Sequence, residues 1–316
     1  MKTHCSSTQK EKSTHLLRAK FTKEDLNRSS ERHIRANVSL LDSAEGDAAL
    51  LCMRIWARQS IMRNSITLRF KGDFMVVQVD LELWARDAGK AVDRGDLIIV
   101  IDVLRSGTSI LNALTNGAEA VIPAGSLKEA YKLHNQHPEY LLVGERRGRM
   151  PKGFDLGNSP LEFTRERING KRLVMTTTSG TEALARSRLA SWVLVGVFLN
   201  AEAVARKAEE IAAKEGAGIS LVLAGERGGF SLEDFLCAGA IVEELSAMNF
   251  NLSDKVQAAL LAFRQAKSDL TGSVMEAEHA KHLVRLGFKG DVDFACQLNV
   301  LREVPIYRLG RITLQK

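Results

Sequence analysis

The chain has 316 residues, of which 45% are hydrophobic, and a formal net charge of +6 at pH 7; this size allows one large domain or two ordinary ones. Residues 1–72 carry 14 lysines and arginines against 7 acidic residues, and the rest of the chain is close to neutral, which argues against nucleic acid as a partner of the main domain. No apolar run approaches the ~20 residues of a membrane span, and the four cysteines form no C-x-x-C pair. We therefore expect a cytoplasmic protein with no membrane anchor, zinc site or disulfide framework.

The N-terminal segment, residues 1–74, is polar and basic with little sustained periodicity. It is predicted to be a disordered extension, a basic interaction arm or the product of a start codon placed too far upstream. We favour the last alternative because Met75 opens directly onto a strand-like run. A nucleic-acid role stays open for this basic segment alone.

From Met75 onward, short apolar runs alternate with amphipathic stretches of helical length, a pattern typical of β-α units. Strands are predicted at residues 75–79, 97–103, 120–123, 140–143, 172–176, 192–198 and 219–223. Helices are predicted at residues 81–90, 109–115, 127–135, 181–187, 201–214, 232–248, 255–267 and 276–286, and an edge strand within 304–314. The expected fold of residues 75–316 is α/β, with mainly parallel sheets flanked by helices. If this domain has two lobes, they are expected to be intimately joined and to divide near residues 165–200.

Four polar clusters follow predicted strands, at the point where each strand ends. They are Asp102 with Arg105–Ser109, Glu145–Arg146 leading into 153–160, Thr176–Thr181, and 225–229 followed by Glu233 and Asp234. Because ligands of open α/β sheets bind outside the carboxyl ends of the strands, we expect all four loops at one edge of a parallel sheet.

The residue types in these loops favour an anionic ligand. Arginines, hydroxyls and backbone amides at helix N-termini bind phosphate, but carboxylates in the same place would repel it. The acidic residues are explained if a hard cation such as Mg²⁺ lies between them and the anion. Each cluster also has a structural interpretation: a strand end with a serine cap at 176–181, helix first-turn acids at 233–234, and a simple turn at 155–158.

Familiar phosphatase signatures are not convincing in this chain. The cysteine-x5-arginine spacings at 52–58 and 296–302 contain no glycine to wrap a phosphate. The Asp291-Val292-Asp293 motif follows no buried strand, and Walker and dinucleotide-binding loops are absent from the sequence. His279 and His282 share a helical face, and one of them could reach an active site.

Five motifs of the chain carry a family resemblance: Asp-Val-Leu-Arg at 102–105, Gly-Glu-Arg at 144–146, Gly-Phe-Asp-Leu-Gly-Asn-Ser-Pro at 153–160, Thr-Thr-Thr-Ser-Gly-Thr at 176–181 and Glu-Asp at 233–234. Taken together, they resemble the 2-phosphosulfolactate phosphatase family. The resemblance runs from about residue 75 to 305 and implies an α/β hydrolase with two intimately joined lobes and the site between them. It also implies that the enzyme uses Mg²⁺ to remove phosphate from 2-phospho-3-sulfolactate, a step towards sulfolactate and coenzyme M. The family usually carries Asn where this chain has Ser179, which bears on the substrate. The N-terminal segment has no counterpart in the family.

The resemblance and the clusters together give the expected site, with hydrolysis assisted by a metal and without a covalent enzyme intermediate. Its catalytic residues would be Asp102, Arg105, Glu145 and Arg146. The metal ligands would be Asp102 and Glu145 first, then Glu233 and Asp234. Residues expected to bind substrate are Ser106, Thr108, Ser109, Asp155, Gly157, Asn158, Ser159, Thr177, Thr178, Ser179, Gly180, Thr181 and Arg227, the last for the sulfonate.

Two other functions stay open. One is a phosphatase for another small phosphorylated 2-hydroxy acid, and the other is a non-catalytic protein that binds an anionic metabolite. The partner is expected to be a small phosphorylated sulfonate or carboxylate, with a homodimer as one expected assembly.

Overall fold

The computed structural model describes residues 76–246 and 249–314; the predicted N-terminal extension lies outside them. Strands in this part of the chain are β1 (Val76–Glu82), β2 (Leu97–Ile101), β3 (Ala120–Pro123), β4 (Leu141–Gly144), β5 (Arg172–Thr176), β6 (Val193–Gly196), β7 (Ile219–Leu223), β8 (Asn249–Leu252), β9 (Pro305–Arg308) and β10 (Arg311–Leu314). Helices are α1 (Ala88–Arg94), α2 (Ser106–Thr115), α3 (Leu127–Gln136), α4 (Arg165–Ile168), α5 (Gly180–Ser187), α6 (Ala201–Glu215), α7 (Leu232–Glu243), α8 (Asp254–Ala266), α9 (Leu270–Met275), α10 (Glu278–Arg285) and α11 (Lys289–Ala295). The α/β class is confirmed.

All ten strands belong to one sheet, in the order β4-β5-β3-β10-β9-β6-β2-β7-β1-β8. Two groups of strands are parallel: β4, β5 and β3 on one side, and β6, β2, β7, β1 and β8 on the other. The antiparallel hairpin β9–β10 joins them through β6 and β3. The sheet is thus mixed but mostly parallel.

The central strand β2 shows why the sheet needs helices on both faces. All five of its residues are buried. Leu97, Ile99 and Ile101 pack in one hydrophobic cluster with residues of α6, α7 and α8. Ile98 and Val100 pack in the other, with residues of α1, α2 and α5. Because successive side chains of a strand point to opposite faces, an uninterrupted apolar run fits a strand covered on both sides.

Two of the predicted helices have wrong bounds. The helix predicted at 81–90 begins too early, because β1 continues to Glu82 in parallel pairing with β7, and α1 starts only at Ala88. The helix predicted at 232–248 ends at Glu243, and the short strand β8 that follows beside β1 was not predicted. Its four residues are too few to show a strand period clearly.

The predicted edge strand within 304–314 is also wrong, because this segment forms two strands inside the sheet. Leu309 and Gly310 between them have φ of 51° and 77°, the backbone pattern of a two-residue hairpin turn. Alternation of apolar and polar residues does not distinguish one long edge strand from a short hairpin. In the described part of the chain, no helix has the length and apolar character to cross a bilayer.

Candidate active site

A polar cleft brings together loops that follow four of the strands. Its lining comes from the β2–α2 loop, the turn after β4, the β5–α5 loop, the turn after β7 and helix α10. The two parallel groups run in opposite directions across the β9–β10 hairpin, so a shared edge of one parallel sheet does not explain this convergence. Five strand-to-strand steps separate β5 from β2 in the sheet. Neighbouring strands of a sheet are rotated by roughly 20–25° relative to each other. Over five steps this twist turns the carboxyl ends of the two groups of strands towards each other.

Asp102 occupies the junction between β2 and α2, and its side chain is almost fully buried. The backbone N–H of Ser106 donates to its Oδ1 at 3.2 Å. Burial raises the pKa of Asp102 to about 6, with a further rise from the charge of Glu233, and the hydrogen bonds of Ser106 and the charge of His279 oppose it. A carboxyl with a pKa of about 6 can gain or lose a proton near neutral pH, so Asp102 is suited to acid–base or metal chemistry.

The N-terminus of α5 approaches Asp102 so closely that only glycine fits there. A Cβ added to Gly180 would lie 2.1 Å from Ser106 Oγ and 2.3 Å from Asp102 Oδ2. The N-termini of α2 and α5 therefore meet beside the Asp102 carboxylate. Helix N-termini present unpaired N–H groups and partial positive charge, so this junction can bind an anion.

We expect Gly180→Ala to lower kcat/KM by roughly 100-fold, because the added methyl group displaces Asp102 and Ser106, and misplacement of reacting groups by about 1 Å can have that effect. Overpacking should lower stability by only about 1–3 kcal/mol, so the folded variant can be assayed. The matched control is Gly89→Ala in α1, whose added Cβ meets no atom within 4 Å. Kinetics of both variants, with melting curves, test this, and wild-type kcat/KM in Gly180→Ala would contradict it.

Glu145 links two of the cleft loops through hydrogen bonds. Its Oε1 accepts hydrogen bonds from the N–H and the hydroxyl of Thr178, each at 2.7 Å. Its Oε2 accepts from the N–H of Gly148 at 2.7 Å. Arg146 beside it donates to the Glu145 carbonyl at 2.6 Å and to the Thr176 hydroxyl at 2.7 Å. Both side chains thus hold the turn after β4 against the end of β5.

Arg105 forms a fully buried ion pair with Asp291 of α11, at 2.8 Å. Its second guanidinium nitrogen donates to the Gly148 carbonyl at 3.0 Å, and the guanidinium lies 4.4 Å from the Phe288 ring centroid. The other carboxylate oxygen of Asp291 accepts from the Ser159 hydroxyl at 2.6 Å. Asp291 therefore positions both Arg105 and the 153–160 loop. The sequence motif 291–293 contributes to the site by this contact, and no nucleophile setting was expected there.

The first turn of α7 brings two buried acids beside Asp102. Asp234 accepts from the N–H groups of Val103 at 2.8 Å and Gly225 at 3.2 Å, and burial, then the charges of neighbouring acids, raise its pKa well above its ordinary value. Glu233 Oε1 lies 3.2 Å from Nδ1 of His279. Burial alone would lower the pKa of His279, but this contact and the nearby carboxylates raise it.

Several buried polar atoms around the cleft have no hydrogen-bond partner. They are Asn158 Oδ1, Glu233 Oε2 and His282 Nε2. Asn158 and His282 line the cleft, and Glu233 contacts the lining residue His279. Because an unpaired buried polar atom costs free energy, such atoms indicate that a ligand, ion or water completes the site.

The predicted site residues divide into two sets. Those that line the cleft are Asp102, Arg105, Ser106, Glu145, Asn158, Thr177, Thr178, Ser179 and Arg227. Those that do not line it are Thr108, Ser109, Arg146, Asp155, Gly157, Ser159, Gly180, Thr181, Glu233 and Asp234.

Several residues of the second set hold loop backbone. The hydroxyls of Thr108 and Ser109 donate to the carbonyls of Val103 at 2.7 Å and Asn158 at 2.9 Å. Asp155 accepts from the Leu142 N–H at 2.7 Å, Gly157 donates to Glu162 at 2.9 Å, and the Thr181 hydroxyl donates to the Thr177 carbonyl at 3.0 Å. Their contact with substrate stays a prediction. Lining residues outside the predicted set include Arg147, Glu226, His279 and His282.

Comparison with known proteins identifies the family of this chain. The family model for 2-phosphosulpholactate phosphatase matches residues 85–310. A protein of Thermotoga petrophila is 43% identical over 218 residues, covering 69% of this chain and 92% of its own length. One of Clostridium acetobutylicum is 35% identical over 239 residues, covering 75% of this chain and all of its own length. Both bear the name "Probable 2-phosphosulfolactate phosphatase".

The fold and the cleft define an α/β enzyme with a buried carboxylate at the meeting point of two helix N-termini. The chain belongs to the 2-phosphosulfolactate phosphatase family, which is a family of phosphoric monoester hydrolases.

Proposed function

We propose that this protein hydrolyses 2-phospho-3-sulfolactate to 3-sulfolactate and phosphate with the help of Mg²⁺. The observation that supports this most directly is the junction at Asp102, where a buried carboxylate lies against the N-termini of α2 and α5. Helix N-termini favour a phosphate group, and the carboxylate supplies the chemistry of a metal ligand or a base. The substrate follows from the family and from the names of the relatives.

Mg²⁺ fits the acidic cluster beside this junction. Burial and the charges of neighbouring acids raise the pKa of Asp102 and Asp234. Nearby positive charge therefore does not fully compensate the negative charge of these acids. Glu233 Oε2 also has no hydrogen-bond partner. No group of three or more potential ligands is assembled among the residues that the structure describes, but Mg²⁺ is usually held by one or two carboxylates together with substrate phosphate and water. Asp102 and Glu233 are the first candidates. Glu145 and Asp234, whose oxygens already accept backbone N–H groups, come second.

In the proposed reaction, water attacks phosphorus and the bond from phosphorus to the 2-oxygen of the substrate breaks. Bound Mg²⁺ would polarise the phosphate and lower the pKa of a bound water. Asp102 would orient the water or accept its proton. Arg105, with the backbone of Thr177–Thr181, would stabilise the charge on the phosphoryl oxygens, and Arg146 would hold Glu145 and Thr176 in place. The proton on the departing oxygen would come from solvent or from a neighbouring group of the cleft.

Three further parts of this proposal concern the whole protein. The two parallel groups, β4-β5-β3 and β6-β2-β7-β1-β8, would be the two expected lobes, since the chain passes from β5 in one group to β6 in the other within the predicted boundary region, 165–200. The cytoplasm stays the expected compartment, and Cys237 and Cys296 are free thiols as a reducing environment requires. A homodimer stays a prediction.

Phosphate release from 2-phospho-3-sulfolactate, measured with Mg²⁺ and with EDTA, tests this function. We expect turnover with Mg²⁺, loss of turnover with EDTA and its return when excess Mg²⁺ is added. Parallel assays with phospholactate and phosphoglycolate distinguish the proposed substrate from other small phosphorylated acids. Tight binding of phosphosulfolactate without phosphate release would instead indicate a protein that only binds the metabolite.

A further inference from the structure

Two tight turns of the same geometry contribute to the lining of the cleft. One follows β4 at residues 146–149, where the N–H groups and carbonyls of Arg146 and Arg149 pair at 2.9 and 3.2 Å. The other follows β7 at 226–229, where Glu226 and Gly229 pair at 3.2 and 2.8 Å. The first central residue is an arginine in both turns, and both arginines line the cleft. We call them the 146–149 turn and the 226–229 turn.

The central residues of both turns have left-handed backbone conformation. φ is 56° at Arg147 and 79° at Gly148, and it is 50° at Arg227 and 77° at Gly228. Positive φ at both central positions is the pattern of a type I′ turn, which favours Asn, Asp or Gly at the first of them. An arginine there gives no conformational advantage, so its guanidinium is the feature that needs an explanation.

Buried groups hold the 146–149 turn in a defined position. The Gly148 N–H donates to Glu145 Oε2 at 2.7 Å, and the Gly148 carbonyl accepts from the Arg105 guanidinium at 3.0 Å. A Cβ at Gly148 would lie 2.7 Å from Leu286 Cδ1, so the turn also packs closely against the end of α10. The backbone that carries Arg147 is therefore attached directly to the predicted catalytic residues Arg105 and Glu145.

The arginines around the cleft differ in what already binds them. Arg105 is paired with Asp291, Arg146 donates to Glu145 and Thr176, and Arg227 Nε lies 3.1 Å from Glu226 Oε1. The guanidinium of Arg147 has no ion pair or hydrogen bond within the described residues, although it lines the cleft. Arg147 is therefore the arginine of these four whose guanidinium donors are all left unused by the described residues.

We propose that Arg147 determines substrate specificity by binding an anionic group of the substrate other than the phosphate that leaves. This inference rests on the proposed function, whose substrate carries a sulfonate and a carboxylate besides the phosphate. Phosphate binds at the buried junction of Asp102 and Gly180, and Arg147 is exposed, at the mouth of the cleft. The planar guanidinium fits the paired oxygens of a sulfonate or a carboxylate. The sulfonate, predicted from the sequence to bind Arg227, is the group assigned to Arg147.

The test compares Arg147→Gln with Arg149→Gln, which removes the same charge from the same turn at a residue that does not line the cleft. Substrates are phosphosulfolactate, phospholactate and phenyl phosphate, which carry two, one and no anionic groups besides the phosphate. For Arg147→Gln we expect kcat/KM for phosphosulfolactate to fall by about 10- to 100-fold, mainly through KM, and the loss on phenyl phosphate to be at least tenfold smaller. Arg149→Gln should retain wild-type kinetics with all three substrates.

Equal losses on phosphosulfolactate and phenyl phosphate, or equal effects of Arg147→Gln and Arg149→Gln, would overturn the inference. A loss on phospholactate as large as that on phosphosulfolactate, or larger, would overturn the assignment to the sulfonate, because phospholactate carries none. Arg147→Gly, which suits the left-handed backbone, provides a second variant if glutamine impairs folding. The two proposals fail in different ways: wild-type protein inactive on phosphosulfolactate refutes the proposed function, whereas active wild-type protein with an unselective Arg147→Gln variant refutes only the role of Arg147.

Discussion

Asp102→Asn should reduce kcat by roughly 10²–10⁴-fold and leave the protein folded. Asparagine preserves the shape of the side chain and one carbonyl oxygen to accept from the Ser106 N–H, but it neither accepts a proton nor balances a metal cation. The measurement is phosphate release from phosphosulfolactate under saturating Mg²⁺. A variant that retains a tenth of wild-type kcat or more would refute the assignment of Asp102.

The stability of this variant gives a second readout. Because burial raises the pKa of Asp102 to about 6, the ionised carboxylate destabilises the folded state above that pH, and asparagine removes this effect. The melting temperature of Asp102→Asn without metal should therefore equal or exceed that of wild type at pH 7.5. The difference should shrink as the pH falls from 6 towards 4. The control is Asp93→Asn on the exposed surface of α1, which changes the charge equally and should alter neither activity nor melting.

Asp291→Ala should lower the free energy of unfolding by about 3–5 kcal/mol, the usual effect of leaving one partner of a buried ion pair without compensation. Arg105 and Asp291 are both 2% exposed at the side chain, and the substitution also removes the acceptor of the Ser159 hydroxyl. The melting temperature should fall by several degrees for each kcal/mol lost. Urea unfolding measures the change, and kinetics below the melting transition should show lower kcat because Arg105 is no longer positioned.

Two further variants distinguish this role from a general effect of α11. Asp293→Ala, two residues away, removes only an exposed ion pair with Lys289 and should change stability by less than about 1 kcal/mol. The double variant Arg105→Met/Asp291→Leu replaces the pair with apolar side chains and should regain stability but not activity. If Asp291→Ala is as stable as Asp293→Ala, the buried pair does not hold the site together.

Sequence patterns predicted the parallel strands well, except for the short strand β8, and the antiparallel part poorly. The apolar run at 97–101 has the composition of a strand buried on both faces, and β2 is such a strand. The 304–314 segment alternates as a strand should, but its place between β6 and β3 depends on pairing with residues far away in the sequence. Local periodicity carries no information about such partners.

The same limit explains what was found and missed in the candidate site. Polar residues after buried strands are a local signal, and they led to Asp102, Glu145 and the 177–179 loop. Asp291 follows no strand, and its contact with Arg105 spans 186 positions of the chain. His279 likewise lies on a helix that packs against the site from far along the chain. Nothing in the sequence near these residues indicates which strand ends they meet.

The β9–β10 hairpin has a consequence for the order in which the molecule is made. Strands β3 and β6 emerge from the ribosome long before residues 305–314, which join them. Until then the nascent chain carries two separate groups of parallel strands, each with an unpaired inner edge open to mispairing. Asp291 is also synthesised late, so the partner of Arg105 and the closure of the sheet arrive together. The cleft is therefore completed only near the end of synthesis of this domain.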